Sequence, residues 1–289
     1  LIPILILKDG DSIWKYSEDI FISILNKLLA TSINIEKIFY NSNHIKVISY
    51  LLKSYESSRI NFNLYMKLFS LFQILTYQQL REQILKYIII NPDIWITSKD
   101  LIYIVEHWAE VIFPNFKDSY SNVFSFSYFL HLSTAYFWFE PSNDNDITYF
   151  GTPESSRVRD PDLDILLANK YLVKILLMLS SISFQRTDFL ELFKNIFLSE
   201  NFKQSEIYTM LLKDIFFSIP EKLKFLTNKD ITLLHLLTSI NNNTVLINLV
   251  EIVIQIHKTE ILESSLLPTH LNVLMSYIKP EFINSKLFN

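Results

Sequence analysis

The most constraining feature is a helix, stop, turn, helix unit near residue 91, because it fixes how the chain must fold back on itself. Leu80, Ile84, Leu85 and Ile88 recur at helical spacing, and Asn91-Pro92 then ends that run. Proline lacks an amide hydrogen and pushes its predecessor out of the α region. After Ile94-Trp95-Ile96, Thr97 or Ser98 can cap a second helix, with Asp100 in its first turn favourable to the helix dipole. That helix presents Leu101, Val105, Trp108 and Ile112 on one side and is expected to end before Pro114. Two amphipathic helices on a short connection pack as an antiparallel hairpin.

The same unit recurs with variations. Trp14 to Ala30 reads as a helix with Ser17 as cap and Ile20, Ile24, Leu25 and Leu28 as its inner stripe. Shorter helices follow around Ile35 to Tyr40 and His44 to Ser54. Ser57-Ser58 precede a longer one from Arg59 to Leu75, where Ile60, Leu64, Leu68 and Leu71 are joined by Tyr65, Phe69 and Phe72. So wide an apolar coverage implies more than one neighbour. Between Asn122 and Phe139, Phe124, Phe126, Tyr128, Leu130 and Leu132 alternate as in a strand. The same stretch fits a helix through Phe129, Leu132, Tyr136 and Phe139, and with no partner strand nearby helix is preferred. Further helices are read from Asp162 or Asp164 to Ser183, from Thr187-Asp188 to Ser199, and from Ser205 to Ser218 before Pro220. Others follow over Ile231 to Ser239, Thr244 to His257 and Thr269 to Tyr277.

Roughly a dozen helices and no convincing sheet make the class all-α. Helix pairs return about every 40 residues, the length of an armadillo or HEAT-like repeat, so the expected architecture is an α-solenoid of antiparallel hairpins. A compact helical bundle is the structural alternative. The expected division is 1–139 as N-terminal repeats, 140–161 as a polar loop, and 162–289 as C-terminal repeats of the same solenoid. That loop holds Asn143-Asp144-Asn145-Asp146, Gly151 and Arg157-Val158-Arg159, and connections of this length are often functional or flexible.

Composition narrows the function. Apolar residues are 49% of the 289, charged residues 19%, and the net charge is -4. This composition can bury a large core and lacks the basic footprint of a nucleic-acid binder; Lys46, Lys53, Arg59 and Lys67 read as scattered, solvated charges. With no cysteine there is no disulfide framework, thiolate metal site or thiol nucleophile. Only two glycines, Gly10 and Gly151, exclude Gly-rich phosphate loops and the Gly-x-Ser-x-Gly elbow. No apolar run approaches the roughly 20 residues that span a bilayer. Because the chain opens on Leu1 without a basic, cleavable leader, it is expected to be an internal fragment of a longer protein.

The remaining chemistry is sparse. His107 with Glu106 and Glu110 can offer two metal ligands from one helix, but a zinc site needs at least one more. Asp144 and Asp146, and Asp160, Asp162 and Asp164, stand beside turns and helix starts, where capping explains them. Neither catalytic nor cofactor-binding nor metal-ligating residues are assigned. Trp95, Trp108 and Trp138 are expected as core anchors, and Arg157 and Arg159 are expected to pair locally with Glu154 or Asp160; Arg157, Arg159 and Trp138 are the candidate partner contacts.

The order of features carries a resemblance. A helix ending in Asn91-Pro92-Asp93-Ile94-Trp95-Ile96 precedes one containing His107. Tyr136-Phe137-Trp138-Phe139, a polar loop with Arg157-Val158-Arg159 and a Leu-rich helix follow. Over about Asn43 to Lys258 this resembles the armadillo-like region of BEACH-domain proteins, the beige and neurobeachin-type families. The richness in Ile, Asn, Lys and Phe is similar to that of proteins from AT-rich, yeast-like genomes, implying a fungal homologue. The resemblance implies a non-catalytic scaffold fragment of a large protein in vesicle trafficking and membrane sorting. Such a scaffold acts through other proteins, in the cytoplasm and peripheral to endosomal or vacuolar membranes, with no cofactor. A helical scaffold subunit of a nuclear or chromatin-associated complex is the alternative.

Overall fold

The computed structural model describes residues 14–120, 123–136, 140–141, 147–148, 165–198, 202–225 and 242–258. The described residues fall into two compact units. The first lies within Leu1–Phe124, Ala135–Phe137 and Tyr149–Leu172, the second within Ser125–Thr134, Trp138–Thr148 and Val173–Asn289.

In the first unit, α1 (Trp14–Leu29), α2 (Ile33–Asn41), α3 (His44–Lys53) and α4 (Phe62–Ile74) precede the unit around residue 91. The first three bounds lie close to those expected. α4 begins later than Arg59 because Asn61 caps it, its side chain accepting from Leu64 N at 2.9 Å. Arg59 is therefore not a solvated helix residue: it is buried in the preceding turn, with its guanidinium 3.9 Å from the centre of the Tyr55 ring.

α5 (Gln78–Ile84) widens into a π-helical turn at Leu85–Ile89 before Asn91-Pro92. Asn91 accepts from Asp93 N, so the expected turn is itself a one-turn helix, α6 (Pro92–Trp95). Neither of the two candidate caps beyond it caps the next helix: Ser98 Oγ accepts from Asp100 N at 3.1 Å in the turn before it, and Asp100 stands at the cap position without a side-chain bond to the helix. α7 (Leu101–His107) then widens in the same way at Trp108–Ile112 and runs on as α8 (Phe113–Phe116). The helix thus continues past Pro114, contrary to expectation. Proline clashes with the carbonyl four residues back in a regular helix; the π turn immediately before it breaks that i to i−4 register, and Pro114 sits in the first turn of α8.

The widened turn at Leu85–Ile89 leaves carbonyls to be satisfied, and two tryptophans do it. Trp95 Nε1 donates to Ile88 O at 2.7 Å and Trp108 Nε1 to Ile89 O at 3.0 Å, with both rings fully buried. A buried indole needs a partner for its N–H, and a helix C-terminus needs donors. Each solves the other's problem.

Successive helices are also joined by polar links about one hairpin apart. Glu36 on α2 is buried and accepts from Thr76 N, Thr76 Oγ1 and Tyr77 N, capping the start of α5 from 40 residues away. Asp100, read from sequence as serving its own helix, accepts instead from Phe62 N at 2.8 Å and caps α4. Asp93 holds the ammonium of Lys53 and the Tyr136 hydroxyl, and Asn91 Nδ2 donates to Ser49 Oγ at 3.3 Å. In the second unit Lys222 donates to Phe184 O, Asn242 to Glu206 and Asn248 to Thr209. The sequence separations of these links run from 36 to 43 residues, which is the expected repeat length. Replacing Asp100 by alanine removes a cap from α4 and is expected to cost about 1 kcal/mol, read as a lowered denaturation midpoint. Asparagine at this position is expected to retain most of it.

The second unit is built from α9 (Phe126–Tyr136, of which Phe126 to Thr134 belong here), the greater part of α10 (Ile165–Ser183), α11 (Arg186–Leu198), α12 (Phe202–Ser218), a 3-10 turn at Pro220–Phe225 and α13 (Asn243–Lys258). The alternating aromatics from Phe124 onward are thus helical from Phe126. Ser183 Oγ accepts from Phe126 N at 3.0 Å, and the Phe126 ring meets Phe184 edge-on at 4.8 Å. Ser133 and Tyr208 share a buried 2.6 Å hydrogen bond between α9 and α12. A two-residue antiparallel ladder, β1 (Glu140–Pro141) with β2 (Ile147–Thr148), stands within the stretch read as a polar loop. The helices expected at Ile231 to Ser239 and Thr269 to Tyr277 lie outside the described residues.

Candidate functional site

The His107 cluster is the first place to look for chemistry, and the fold takes it apart. His107 Nδ1 shares a 2.8 Å hydrogen bond with Tyr65 Oη, across from α7 to α4. Phe62, Tyr65 and Phe69 surround the imidazole at ring separations of 6.4, 5.3 and 4.7 Å. Glu106 accepts instead from Tyr171 Oη at 2.7 Å, and Glu110 is exposed. The two ligands that the helix offers on paper are thus engaged by different neighbours. Among the described residues no three His, Asp or Glu side chains stand together as a metal site.

The aromatic box has an electrostatic consequence. Burial holds the His107 imidazole below its ordinary value of 6.5 and raises the Tyr65 phenol well above 10.0, since both effects disfavour the charged form. For the histidine the sign follows directly. As pH falls below 6.5 the unfolded chain takes up the proton before the folded one does, so stability is full above that pH and declines beneath it, levelling once the folded imidazole also titrates. The denaturation midpoint is expected to drop between pH 7 and pH 5, and His107→Gln is expected to flatten that drop.

Trp95 and Trp108 are core residues with no exposed area. Arg157, Arg159 and Trp138 lie outside the described residues, as do Asp144, Asp146, Asp160, Asp162 and Asp164. The described surface does present several large apolar side chains. On α1 the inward face is Phe21, Ile22, Leu25 and Leu29, while Ile20, Ile24 and Leu28, expected inside, form an exposed stripe. Ile38 and Tyr50 on α2 and α3, Tyr103 on α7, and Met210 and Phe217 on α12 are exposed as well. Exposed apolar residues aligned on one helix face mark association surfaces more often than isolated ones do.

A surface groove of about 310 Å³ in the second unit is lined by residues of polar type, most of them exposed. Ser127, His131 and Thr134 line it from α9, and Thr187, Asp188, Glu191 and Asn195 from α11. Asp188 is buried, and its Oδ2 accepts from Gln185 N at 2.8 Å at the start of α11.

Predominantly helical packing and hairpins tied at a spacing near 40 residues agree with a comparison against family models. Residues 14–278 match the Neurobeachin/BDCP, DUF4704 alpha solenoid region. The chain belongs to this family. Its fold class is therefore all-α, an α-solenoid of the neurobeachin type, and the expected resemblance to the armadillo-like region of BEACH proteins holds over a longer stretch than Asn43 to Lys258. No curated protein and no solved structure matches the chain. Among the described residues of this neurobeachin-type solenoid no helix is long and apolar enough to cross a membrane.

The sequence missed the residues that tie the hairpins together, Glu36, Asp93 and Asp100. A faint signal existed for the first: an acidic residue in the first turn of a short helix is ordinary, but Glu36 shares its helix with apolar Ile35, Ile38 and Phe39 and is only 2% exposed. A buried carboxylate must find donors, and a helix start is where unpaired donors are found.

Proposed function

We propose that this neurobeachin-type solenoid is a non-catalytic scaffold segment of a large BEACH-type protein, acting in vesicle trafficking and membrane sorting by holding other proteins. The observation that carries the reading is family membership across residues 14–278. The exposed apolar residues of α1, α7 and α12 support it, because a helical surface of that kind suits association. In this proposal the protein resides in the cytoplasm and meets endosomal or vacuolar membranes peripherally, through its partners or through parts of the protein beyond these residues. Arg157, Arg159 and Trp138 are proposed as contact residues.

Affinity capture from the source cells, with the protein tagged and membranes fractionated in parallel, tests this. Co-purification and co-fractionation with endosomal or vacuolar sorting proteins is the expected result, and recovery of chromatin proteins alone contradicts it. Reversing both charges, Arg157→Glu with Arg159→Glu, is expected to reduce the recovered partners several-fold while leaving the helical circular dichroism spectrum unchanged.

A further inference from the structure

The outer stripe of α1 is apolar in a way that the packing of the helix does not use. Phe21, Ile22, Leu25 and Leu29 supply the face that meets α2 and α4. Ile20, Ile24 and Leu28 stand beside it, one per turn, with 52%, 39% and 38% of their surface open. Among the described residues no other helix leaves three large apolar side chains open in successive turns. Removing such a row from water is favourable, and an apolar segment of matching period is what can do it.

The sequence supplies such a segment next to α1. Leu1-Ile2-Pro3-Ile4-Leu5-Ile6-Leu7 is apolar at every position, and Lys8-Asp9-Gly10-Asp11-Ser12 follows before α1 begins at Trp14. The run stands apart from residues 14–278, the part matched to the solenoid family. Asp9-Gly10-Asp11 is a reversal signal, because glycine reaches the left-handed conformations that tight turns need and aspartate side chains bond back to the main chain.

Reach and period both fit. Along a helix, residues four apart are separated by about 6 Å; along an extended chain, alternate residues are separated by about 6.6 Å. Ile6, Ile4 and Ile2 can thus meet Ile20, Ile24 and Leu28 in that order, with a mismatch of about 1 Å over the row. The connection from Leu7 to Trp14 can span up to about 24 Å, and Ile20 stands about 9 Å along α1 from Trp14. The link is therefore long enough to turn and return. A second copy of the chain suits the stripe less well, since three side chains fall far short of the roughly 800 Å² per partner of a stable interface. A tethered segment needs no such area, because its effective concentration is on the order of millimolar.

We propose that Leu1–Leu7 folds back as a strap over the outer stripe of α1, with Ile2, Ile4 and Ile6 against Leu28, Ile24 and Ile20. The strap does not depend on the scaffold reading, which keeps Tyr103 of α7 and Met210 and Phe217 of α12 as open surface.

The chain has no cysteine, so Ile24→Cys places a single thiol under the strap, and its rate of reaction with a water-soluble maleimide reads the cover. Tyr50→Cys, on α3 where the side chain is exposed, gives the rate of an open thiol in the same unit. The thiol at position 24 is expected to react roughly tenfold more slowly with Leu1–Leu7 intact than with Ile2→Asn, Ile4→Asn and Ile6→Asn combined. The rate at position 50 is expected to be the same in both backgrounds. Equal rates at position 24 overturn the strap. Slowing that vanishes on dilution of the protein also overturns it, by identifying a second copy as the cover, and so does a parallel acceleration at position 50, which would mean general loosening. A second readout leaves the segment otherwise intact: Ile6→Cys with Ile20→Cys is expected to form an intramolecular disulfide several-fold faster than Ile2→Cys with Ile20→Cys. Equal rates for the two pairs contradict the proposed direction of the strap and overturn it.

Discussion

Replacing Trp95 by alanine is expected to remove a large share of the stability of the first unit. The ring is fully buried, meets Tyr65 edge-on at 5.2 Å and closes the C-terminus of the α5 helix through Ile88 O. Deleting a buried tryptophan costs about 3–5 kcal/mol through lost burial and the cavity left behind. Against a total of about 5–15 kcal/mol for an ordinary domain, that is a large share. Trp95→Phe separates the two contributions, since it keeps much of the volume and discards the N–H. Its cost is expected near the low end of about 1–3 kcal/mol for an unsatisfied buried group, because Ile88 O also accepts from Asn91 N at 3.4 Å. Urea denaturation followed by far-ultraviolet circular dichroism measures both. Equal midpoints for Trp95→Ala and the parent chain would show that the indole is not packed as described.

Glu36 is the second position where a single change is expected to have a large effect. Its carboxylate takes two backbone N–H groups and one hydroxyl at distances of 2.7 to 3.2 Å. Glu36→Ala removes the acceptor of Thr76 N, Thr76 Oγ1 and Tyr77 N at the start of α5. Hydrogen bonds to charged acceptors contribute about 1.5–3 kcal/mol each, less than additively when they share one acceptor. A total loss of about 3 kcal/mol is therefore expected for alanine. Glutamine is expected to lose less, since its amide oxygen can still accept from Tyr77 N, while its NH2 faces donors. Hydrogen exchange at Thr76 and Tyr77 is the sharper readout: their protection should fall in Glu36→Ala by more than that of α3. A variant with unchanged protection there would mean that α5 is capped by something else.

The helical plan was legible in the sequence for reasons that these positions illustrate. Asn91-Pro92 stops a helix through covalent geometry alone, so no tertiary information was needed to place the turn. Trp95 and Trp108 are too large and apolar to leave outside in a chain with so many helices, and both are inside. The hairpin spacing near 40 residues follows from counting those stops.

Other features depended on neighbours that a local reading does not contain. On α1 both Ile20, Ile24 and Leu28 and the set Phe21, Ile22, Leu25 and Leu29 have helical spacing, so periodicity alone could not select the inward face. Packing against α2 and α4 selected the second. Asp100 satisfies every sequence rule for a residue serving its own helix, yet its carboxylate serves α4, 38 residues earlier. The π turns at Leu85–Ile89 and Trp108–Ile112 likewise carry no motif of their own; in the first, the indoles of Trp95 and Trp108 take up the carbonyls of Ile88 and Ile89. The polar groove was missed because its residues divide between two helices that are separated in sequence by the long polar connection.

Among the described residues, hairpins within each unit are tied to neighbours about forty residues away. Because the chain has no cysteine, paired cysteines can be introduced without interference and probed with a short bismaleimide. The pair Lys53→Cys with Asp93→Cys tests the first unit, where an ion pair joins two part-exposed side chains. Lys213→Cys with Glu251→Cys tests the second, where the ion pair spans 2.8 Å. Rapid intramolecular cross-linking of both pairs in the native chain, lost in urea, is the predicted result. Cross-linking no faster than in urea at either pair would contradict the repeat-to-repeat contact on which the architecture rests.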